Sequence, residues 1–369
     1  MKAVITHGTG DASVEEIERP TPDDDEVLLE ISQFQLSITE VWMYQGKLSI
    51  SAALRERIER GDGRAFGHEF CGTVVETGAD VAELAVGDRV YGAGKISCGS
   101  CPYCTNGWNV LCERSETIGL GEYPGAAAEY LAIPTEPLCV VPDAVSDREA
   151  AALQPLADAL GRVHDADVYT GDVVAVIGAG VMGNQCGQLA QYFGAAETFA
   201  VDIDPEKLRL AERFGMGGID ASETDPVEAL RERTDGVGPD VVFSAVGGDQ
   251  RHATDGDDPI AQGLRAVRKG GTFVQVGIVT AEEMRFDPTT MRKRGVTVVN
   301  PTGHRGIHPT GPNNDAGEYA AELVASDRVS IDQFAGIELD GLDAFEELVE
   351  ITANKAEYDT LGPAQISVR

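Results

Sequence analysis

Lysine is scarce in this sequence. There are seven, against twenty-two arginines, and the 29 basic residues together face 62 acidic ones, for a net charge of −33. Such a chain repels nucleic-acid phosphates and anionic membranes, which argues against partners of either kind. No apolar run approaches the roughly 20 residues that cross a bilayer. The opening segment, Met1 to His7, has neither the apolar centre nor the cleavage site of a secretory leader. It reads as a first strand, and a cytoplasmic protein is expected. Internal repeats and low-complexity tracts are also missing.

The acids are spread through segments of folded appearance rather than gathered into a tail, which argues against a disordered acidic chain. Adaptation to high salt is the better reading. At 1 M the Debye length is about 3 Å, and the repulsion is largely screened. A chain of 369 residues has room for two domains, each with its own core.

The first half reads as β-rich. Val27–Ile31 follows the acidic turn Asp23–Asp25, Gly72–Gly78 is closed by glycine, and Gly87-Asp88-Arg89-Val90-Tyr91 is a turn entering a strand. Residues 50–60 form a helical interruption. Short strands with Gly and Pro punctuation predict a compact, barrel-like β domain. After Pro155 strands alternate with helices: Val173–Ile177, a helix to Phe193, Thr198–Val201, a helix from Pro205 to Phe214, then strands at Asp240–Ser244 and Thr272–Val276. This alternation predicts an α/β domain with a doubly wound parallel sheet. The C-terminal part returns to mixed structure, with helices near Asp315–Ala325 and Leu342–Thr352.

Gly178-Ala179-Gly180-Val181-Met182-Gly183 is G-x-G-x-x-G, placed after an apolar strand and at the start of a helix. In that setting the pattern binds a dinucleotide. The first glycine makes the tight turn, the second lets the pyrophosphate approach the backbone, and the third packs helix on strand. Asp202, at the end of the next strand, is the acid expected for the ribose hydroxyls, and it favours NAD over NADP. Asp204 reads as the cap of the following helix.

Seven cysteines are present, and four crowd together as Cys98, Cys101, Cys104 and Cys112. Without a secretory leader this favours metal over disulfides. Four thiolates at C-x2-C-x2-C-x7-C spacing can surround one tetrahedral Zn²⁺ and leave no open position, so the site would be structural. An iron–sulfur cluster is the rival.

These two motifs, in this order, resemble the zinc-containing medium-chain dehydrogenase/reductase family, in its alcohol, polyol and sugar branches: haloarchaeal glucose dehydrogenases, or threonine and sorbitol dehydrogenases. Gly67-His68-Glu69, Gly87-Asp88-Arg89-Val90, Pro155-Leu156-Ala157 and Gly270–Gly277 add further matches. The resemblance implies a GroES-like catalytic domain (residues 1–154 and 303–369, with a zinc lobe at 95–113) around a Rossmann domain (155–302). It also implies a homodimer or homotetramer, and hydride transfer to a nicotinamide between the domains.

A second, catalytic zinc in that family takes a cysteine, the GHE histidine and a further cysteine, aspartate or glutamate, and the GHE glutamate can also reach it. Here the match is incomplete. Ser37 stands at the cysteine position and Gln154 where glutamate is common, so two anionic ligands have become neutral ones. His68 and Glu69 remain. Glu40 replaces the usual aspartate nearby, and Thr39 keeps a hydroxyl suited to proton relay. The expected function is NAD-dependent oxidation of a small hydroxylated substrate, with an atypical catalytic zinc. A zinc-free reductase on the same fold, acting on an activated C=C, C=N or carbonyl group, is the alternative. A non-enzymatic NAD-binding protein is a third. Asp158 and the segment from Asn300 to Asn314 are candidate cleft residues.

The charge reading makes a direct prediction. Moving the protein from 1 M to 0.1 M KCl lengthens the Debye length from about 3 to about 10 Å. The melting temperature, followed by circular dichroism, falls across that range; a flat or rising profile would remove the high-salt reading.

Overall fold

The computed structural model describes residues 1–248, 258–280, 288–300 and 316–368. The chain divides into two compact units. One joins Met1–Ala157 with His304–Arg369, and the other is Asp158–Gly303. Among the described residues no helix is long and apolar enough to cross a membrane.

Along the first segment run strands β1 (Lys2–Gly8), β2 (Asp11–Glu16) and β3 (Glu26–Gln35), helices α1 (Ile38–Tyr44) and α2 (Ala52–Glu59), and strands β4 (Glu69–Thr77), β5 (Arg89–Gly92), β6 (Tyr130–Pro134) and β7 (Leu138–Val140). Helices α3 (Asp147–Ala151) and α4 (Gln154–Asp165) follow. The parallel sheet is then built from β8 (Val173–Ile177), α5 (Val181–Tyr192), β9 (Glu197–Asp202), α6 (Pro205–Arg213), β10 (Gly217–Asp220), α7 (Pro226–Glu232), β11 (Val241–Ser244), α8 (Pro259–Ala266), β12 (Thr272–Gln275), α9 (Pro288–Arg294) and β13 (Thr297–Val299). The chain closes with α10 (Ala316–Ala325), β14 (Glu338–Asp340), α11 (Phe345–Ala353) and β15 (Gln365–Ser367).

In the first unit β1 and β2 form an antiparallel hairpin. The larger sheet runs in the order β14-β15-β3-β4-β5-β7, and β6 also pairs with β3. β3 is its centre. Eight of its ten residues are buried, because it is covered on both faces. Val27, Leu29, Ile31 and Phe34 join Phe70 and Val74 of β4 in the core. The core is sealed by Leu348 and Ile351 of α11 and by Ile366 of β15, which come from the far end of the chain.

In the second unit all six strands are parallel, in the order β10-β9-β8-β11-β12-β13. Counted from β8 this is 3-2-1-4-5-6, the doubly wound dinucleotide-binding order, whose switch point lies between β8 and β11. The caps follow local chemistry. Asp204, Asp225 and Asp258 each precede a proline at the first helical position and accept a backbone N–H of the first turn.

The expected strands and helices are present within a few residues, with two instructive differences. β4 begins at Glu69 rather than at Gly72. Ser37–Tyr44, aligned in sequence with a cysteine loop, is a capped helix. From residue 301 the candidate cleft segment, the expected domain junction near 303, Asp315 and the histidines at 252, 304 and 308 lie outside the described residues.

One buried charge organises the first unit's loops. Arg57, on α2, is 1 % exposed. Its guanidinium donates to the carbonyls of Gly121 (2.9 Å), Tyr123 (2.7 Å) and Arg64 (3.1 Å) and pairs with Asp62. Arg57→Met keeps the apolar stem but strips the donor from three carbonyls. The expected cost is on the order of 3 kcal/mol, read as a lower midpoint in denaturant at high salt. A loss under 1 kcal/mol would mean that water takes the donor's place.

Candidate active site and metal centre

Two consecutive left-handed residues deliver His68. Phe66 has φ +67° and Gly67 φ +84°. For phenylalanine this conformation costs about 1–2 kcal/mol, so its surroundings must hold it. They do so closely: a Cβ on Gly125 would sit 1.6 Å from the Phe66 carbonyl oxygen, and one on Gly119 2.8 Å from its nitrogen. These glycines lie in the loop gripped by Arg57. The Phe66 ring meets Tyr44 edge-on at 6.0 Å. His68 is thereby brought under α1.

There it meets Glu40, whose carboxylate is fully buried. Glu40 Oε1 accepts from the N–H of Gly67 at 2.7 Å and of His68 at 3.3 Å, and lies 3.0 Å from His68 Nδ1. Its Oε2 accepts from the Ser37 N–H at 2.8 Å and from the Ser37 hydroxyl at 3.1 Å. Burial works against this charge, yet the His68 ring and the N–H groups of Ser37 and Gly67 hold the carboxyl below the usual range. Ser37 Oγ also accepts the Glu40 N–H at 3.2 Å, which completes a capping box on α1.

On its other edge, His68 Nε2 faces Glu69 Oε1 at 3.7 Å. Glu69 is buried, and its Oε2 accepts from Gln35 Nε2. Burial pushes the Glu69 carboxyl up to about 7, against the pull of His68 and Gln35. The imidazole is thus set between two buried carboxylates. A carboxylate on one ring nitrogen is the usual support of a metal-binding histidine, because it fixes the ring and directs the other nitrogen at the ion. His68 Nε2 and Glu69 Oε1 are the two donors that suit a cation here.

The cysteine lobe is a separate, complete site. The Sγ atoms of Cys98, Cys101, Cys104 and Cys112 all lie within 4.8 Å of one another. Cys98–Cys104 is 3.9 Å and Cys101–Cys104 is 3.4 Å. A tetrahedron with Zn–S bonds near 2.3 Å has edges of about 3.8 Å, so the four thiols fit one zinc. All four are free of disulfides. Backbone N–H groups of Ser100 and Cys101 hold the Cys98 thiol down to about 5, and Arg114 Nη2 donates to its sulfur at 3.1 Å. The lobe has little core of its own: its two 3-10 turns, Cys104–Asn106 and Asn109–Leu111, bury no residue. Among the described residues this is the one group of three or more His, Cys, Asp or Glu with metal-binding proximity.

In the second unit Gly178 follows β8 with φ +94°, and a Cβ there would meet Val246 beyond β11 at 2.9 Å. A Cβ on Gly183 would fall 1.8 Å from the Gly178 carbonyl oxygen, so helix and strand touch through glycine. Gly180, the N-cap of α5, has nothing within 4 Å of such an atom. The space left there, facing the N-terminal N–H groups of Val181, Met182 and Gly183, suits a pyrophosphate. Asp202 ends β9. Its Oδ2 accepts the Ala179 N–H at 2.8 Å, while Oδ1 accepts those of Ile203 and Asp204. The carboxylate is therefore fixed beside the glycine loop, with Lys207 Nζ 3.7 Å from Oδ1.

Residues 23–143 match the alcohol dehydrogenase GroES-like domain, and residues 181–310 match the zinc-binding dehydrogenase domain. A sorbitol dehydrogenase of Halalkalibacterium halodurans is 32 % identical over 305 residues, covering 81 % of this chain and 83 % of that one. The chain belongs to the zinc-containing medium-chain dehydrogenase/reductase family. The alcohol dehydrogenase TADH of Thermus sp. ATN1 superposes with a TM-score of 0.83 at 27 % identity over the full length of both chains. A chain from Sinorhizobium meliloti 1021, solved bound to NADP, gives 0.83 at 28 % identity, covering 99 % of this chain and 98 % of its own. The protein is an oxidoreductase acting on CH–OH donors.

Within this dehydrogenase His68, Glu69, Glu40 and Ser37 come together, but not as four ligands. The Ser37 hydroxyl is engaged with Glu40. Thr39 stands half-buried one residue before Glu40 on α1, and Gln154 is the half-buried first residue of α4. Asp158 pairs with Arg162 one turn along α4. Reading the sequence did not single out Gln35. The strand expected at Val27–Ile31 continues to Gln35, and strand register pairs Gln35 with Glu69.

The lobe supplies a test. Cys104→Ser should lower the zinc content by one ion per chain, measured by elemental mass spectrometry. The melting temperature should fall with it, since the lobe lacks a core to replace the metal. Unchanged zinc content would show that the metal is held elsewhere.

Proposed function

We propose that this chain is an NAD-dependent dehydrogenase of a secondary alcohol, polyol or sugar, in which His68 and Glu69 hold an atypical catalytic zinc. The observation that carries the reading is the buried Glu40–His68 pair. It fixes one ring nitrogen at 3.0 Å and presents Nε2 toward Glu69 Oε1. A zinc ion bound there would polarise a substrate hydroxyl and lower its pKa. The chain's own residues do the rest. Glu40 holds the imidazole in place, Glu69 completes its polar edge, and Thr39 passes the hydroxyl proton toward solvent. Ser37 and Gln154 offer only neutral oxygens, so His68 and Glu69 would be the principal protein ligands of such an ion.

Asp202 supports NAD. A carboxylate fixed beside the glycine loop accepts ribose hydroxyls and repels a 2′-phosphate, although a structural relative holds NADP. A polyol substrate is supported by the relative named sorbitol dehydrogenase. Seven cysteines outside any disulfide suit a reducing cytoplasm, and the charge of −33 suits high salt. The same reading takes residues 1–154 and 303–369 as the catalytic domain, residues 155–302 as the cofactor domain, and a homodimer or homotetramer as the assembly.

A second reading rests on the Ser37 hydroxyl, which is committed to its helix cap. If that leaves too few ligands, His68 and the buried Glu69 act directly as an acid–base pair in a metal-free reduction.

Zinc content at high salt separates the two. The expected value is two per chain, falling to one in His68→Ala, with kcat/KM for sorbitol and NAD⁺ reduced on the order of 1,000-fold. One zinc in the unmodified protein, with no second ion taken up on addition, would leave the metal-free reading.

A further inference from the structure

Behind Glu69 runs a ladder of buried amides that neither reading uses. Gln35 Nε2 donates to Glu69 Oε2. Gln365 Nε2 donates to Gln35 Oε1 at 2.7 Å and to the Arg148 carbonyl at 3.0 Å. Gln33 Nε2 donates to Gln365 Oε1 at 3.0 Å and to Glu338 Oε2 at 3.1 Å. The three glutamines are between 0 and 4 % exposed. With Glu69 and Glu338 at its ends, the ladder crosses four adjacent strands, β4, β3, β15 and β14. Glu69 is the register partner of Gln35, Gln35 of Gln365, and Gln365 of Glu338.

The direction of every bond in this ladder is forced. A carboxylate and a peptide carbonyl only accept. Gln365 must therefore turn its NH₂ toward the Arg148 carbonyl, and its second N–H then points at Gln35. Gln35 must answer with its oxygen, which leaves its NH₂ for Glu69. Reversing Gln35 would set two NH₂ groups face to face. Reversing Gln365 as well would set two carbonyl oxygens face to face at Arg148. Neither is tolerated where water cannot intervene.

We propose that Gln35, locked by Gln365 and the Arg148 carbonyl, is the positioning residue of Glu69. It engages Oε2 and leaves Oε1, on the His68 side, as the oxygen that faces a cation. The proposal rests on Glu69 belonging to the active site. It makes Gln35 act through Glu69, without contact with substrate.

The test uses the full chain in high salt. Crystal structures of the unmodified protein and of Gln35→Met report the Glu69 carboxylate directly, and the expected result is a carboxylate turned so that Oε1 leaves His68 Nε2. Equilibrium dialysis with Zn²⁺ follows the second zinc equivalent. Gln35→Met should weaken it about 10- to 100-fold, the usual effect of losing such a support. It should add no further loss on a Glu69→Gln background, where a merely structural defect would add independently. A carboxylate unmoved in Gln35→Met overturns the proposal, as do additive losses in the double variant. A protein with no second zinc site overturns the metal reading alone, and carboxylate orientation then decides the ladder by itself. Should Gln35→Met fail to fold, Gln365→Met removes the lock one strand away and is read in the same way.

Discussion

A single buried carboxylate, that of Glu40, is the constraint on which the catalytic unit depends. It ties the first turn of α1 to the segment that carries His68, and accepts from both. A charge removed from water must find compensation, and here the compensating groups are the ones the site has to place. The left-handed pair Phe66–Gly67, the glycines packed against it and the Arg57 clamp behind them give the backbone its path to Glu40. The carboxylate fixes the end of that path. Strain at Phe66 is tolerated because three elements of the unit hold it at once.

The cofactor unit is built on the opposite principle. Its loop works through what is missing. Gly178 and Gly183 have no room for a side chain, while Gly180 has room that no side chain takes. Asp202 is held by three backbone N–H groups, with the Lys207 ammonium beside it, so main chain does most of its positioning. The cysteine lobe is different again. Its 3-10 turns bury no residue, and its four thiols lie close enough together to share one ion.

How much of this was legible in the sequence depended on whether the determinant was local. The glycine loop and the cysteine lobe carry their geometry in their spacing, and both were readable residue by residue. So was Asp202, at the end of an obvious strand. The helix after Ser37 is also written locally, as Ser-x-x-Glu, although the same serine stands at the family's cysteine position. Phe66 carries no signal, because nothing in a phenylalanine announces a left-handed backbone. Gln33 and Gln35 lie beyond Val27–Ile31, the part of the strand that its apolar residues mark. Their meaning depends on Gln365, 330 residues after Gln35, and no periodicity reaches that far.

That separation bears on how the protein is made. The cofactor unit is one continuous stretch of chain, so its strands can pair as they leave the ribosome. The catalytic unit cannot finish so early. β15 lies between β14 and β3, and Ile366 closes a core whose other members were translated first. Until that strand arrives, the end of β3 from Gln33 to Gln35 is unpaired on that side, and Gln35 lacks the Gln365 donor for its oxygen. Such an edge invites pairing with a neighbouring nascent chain.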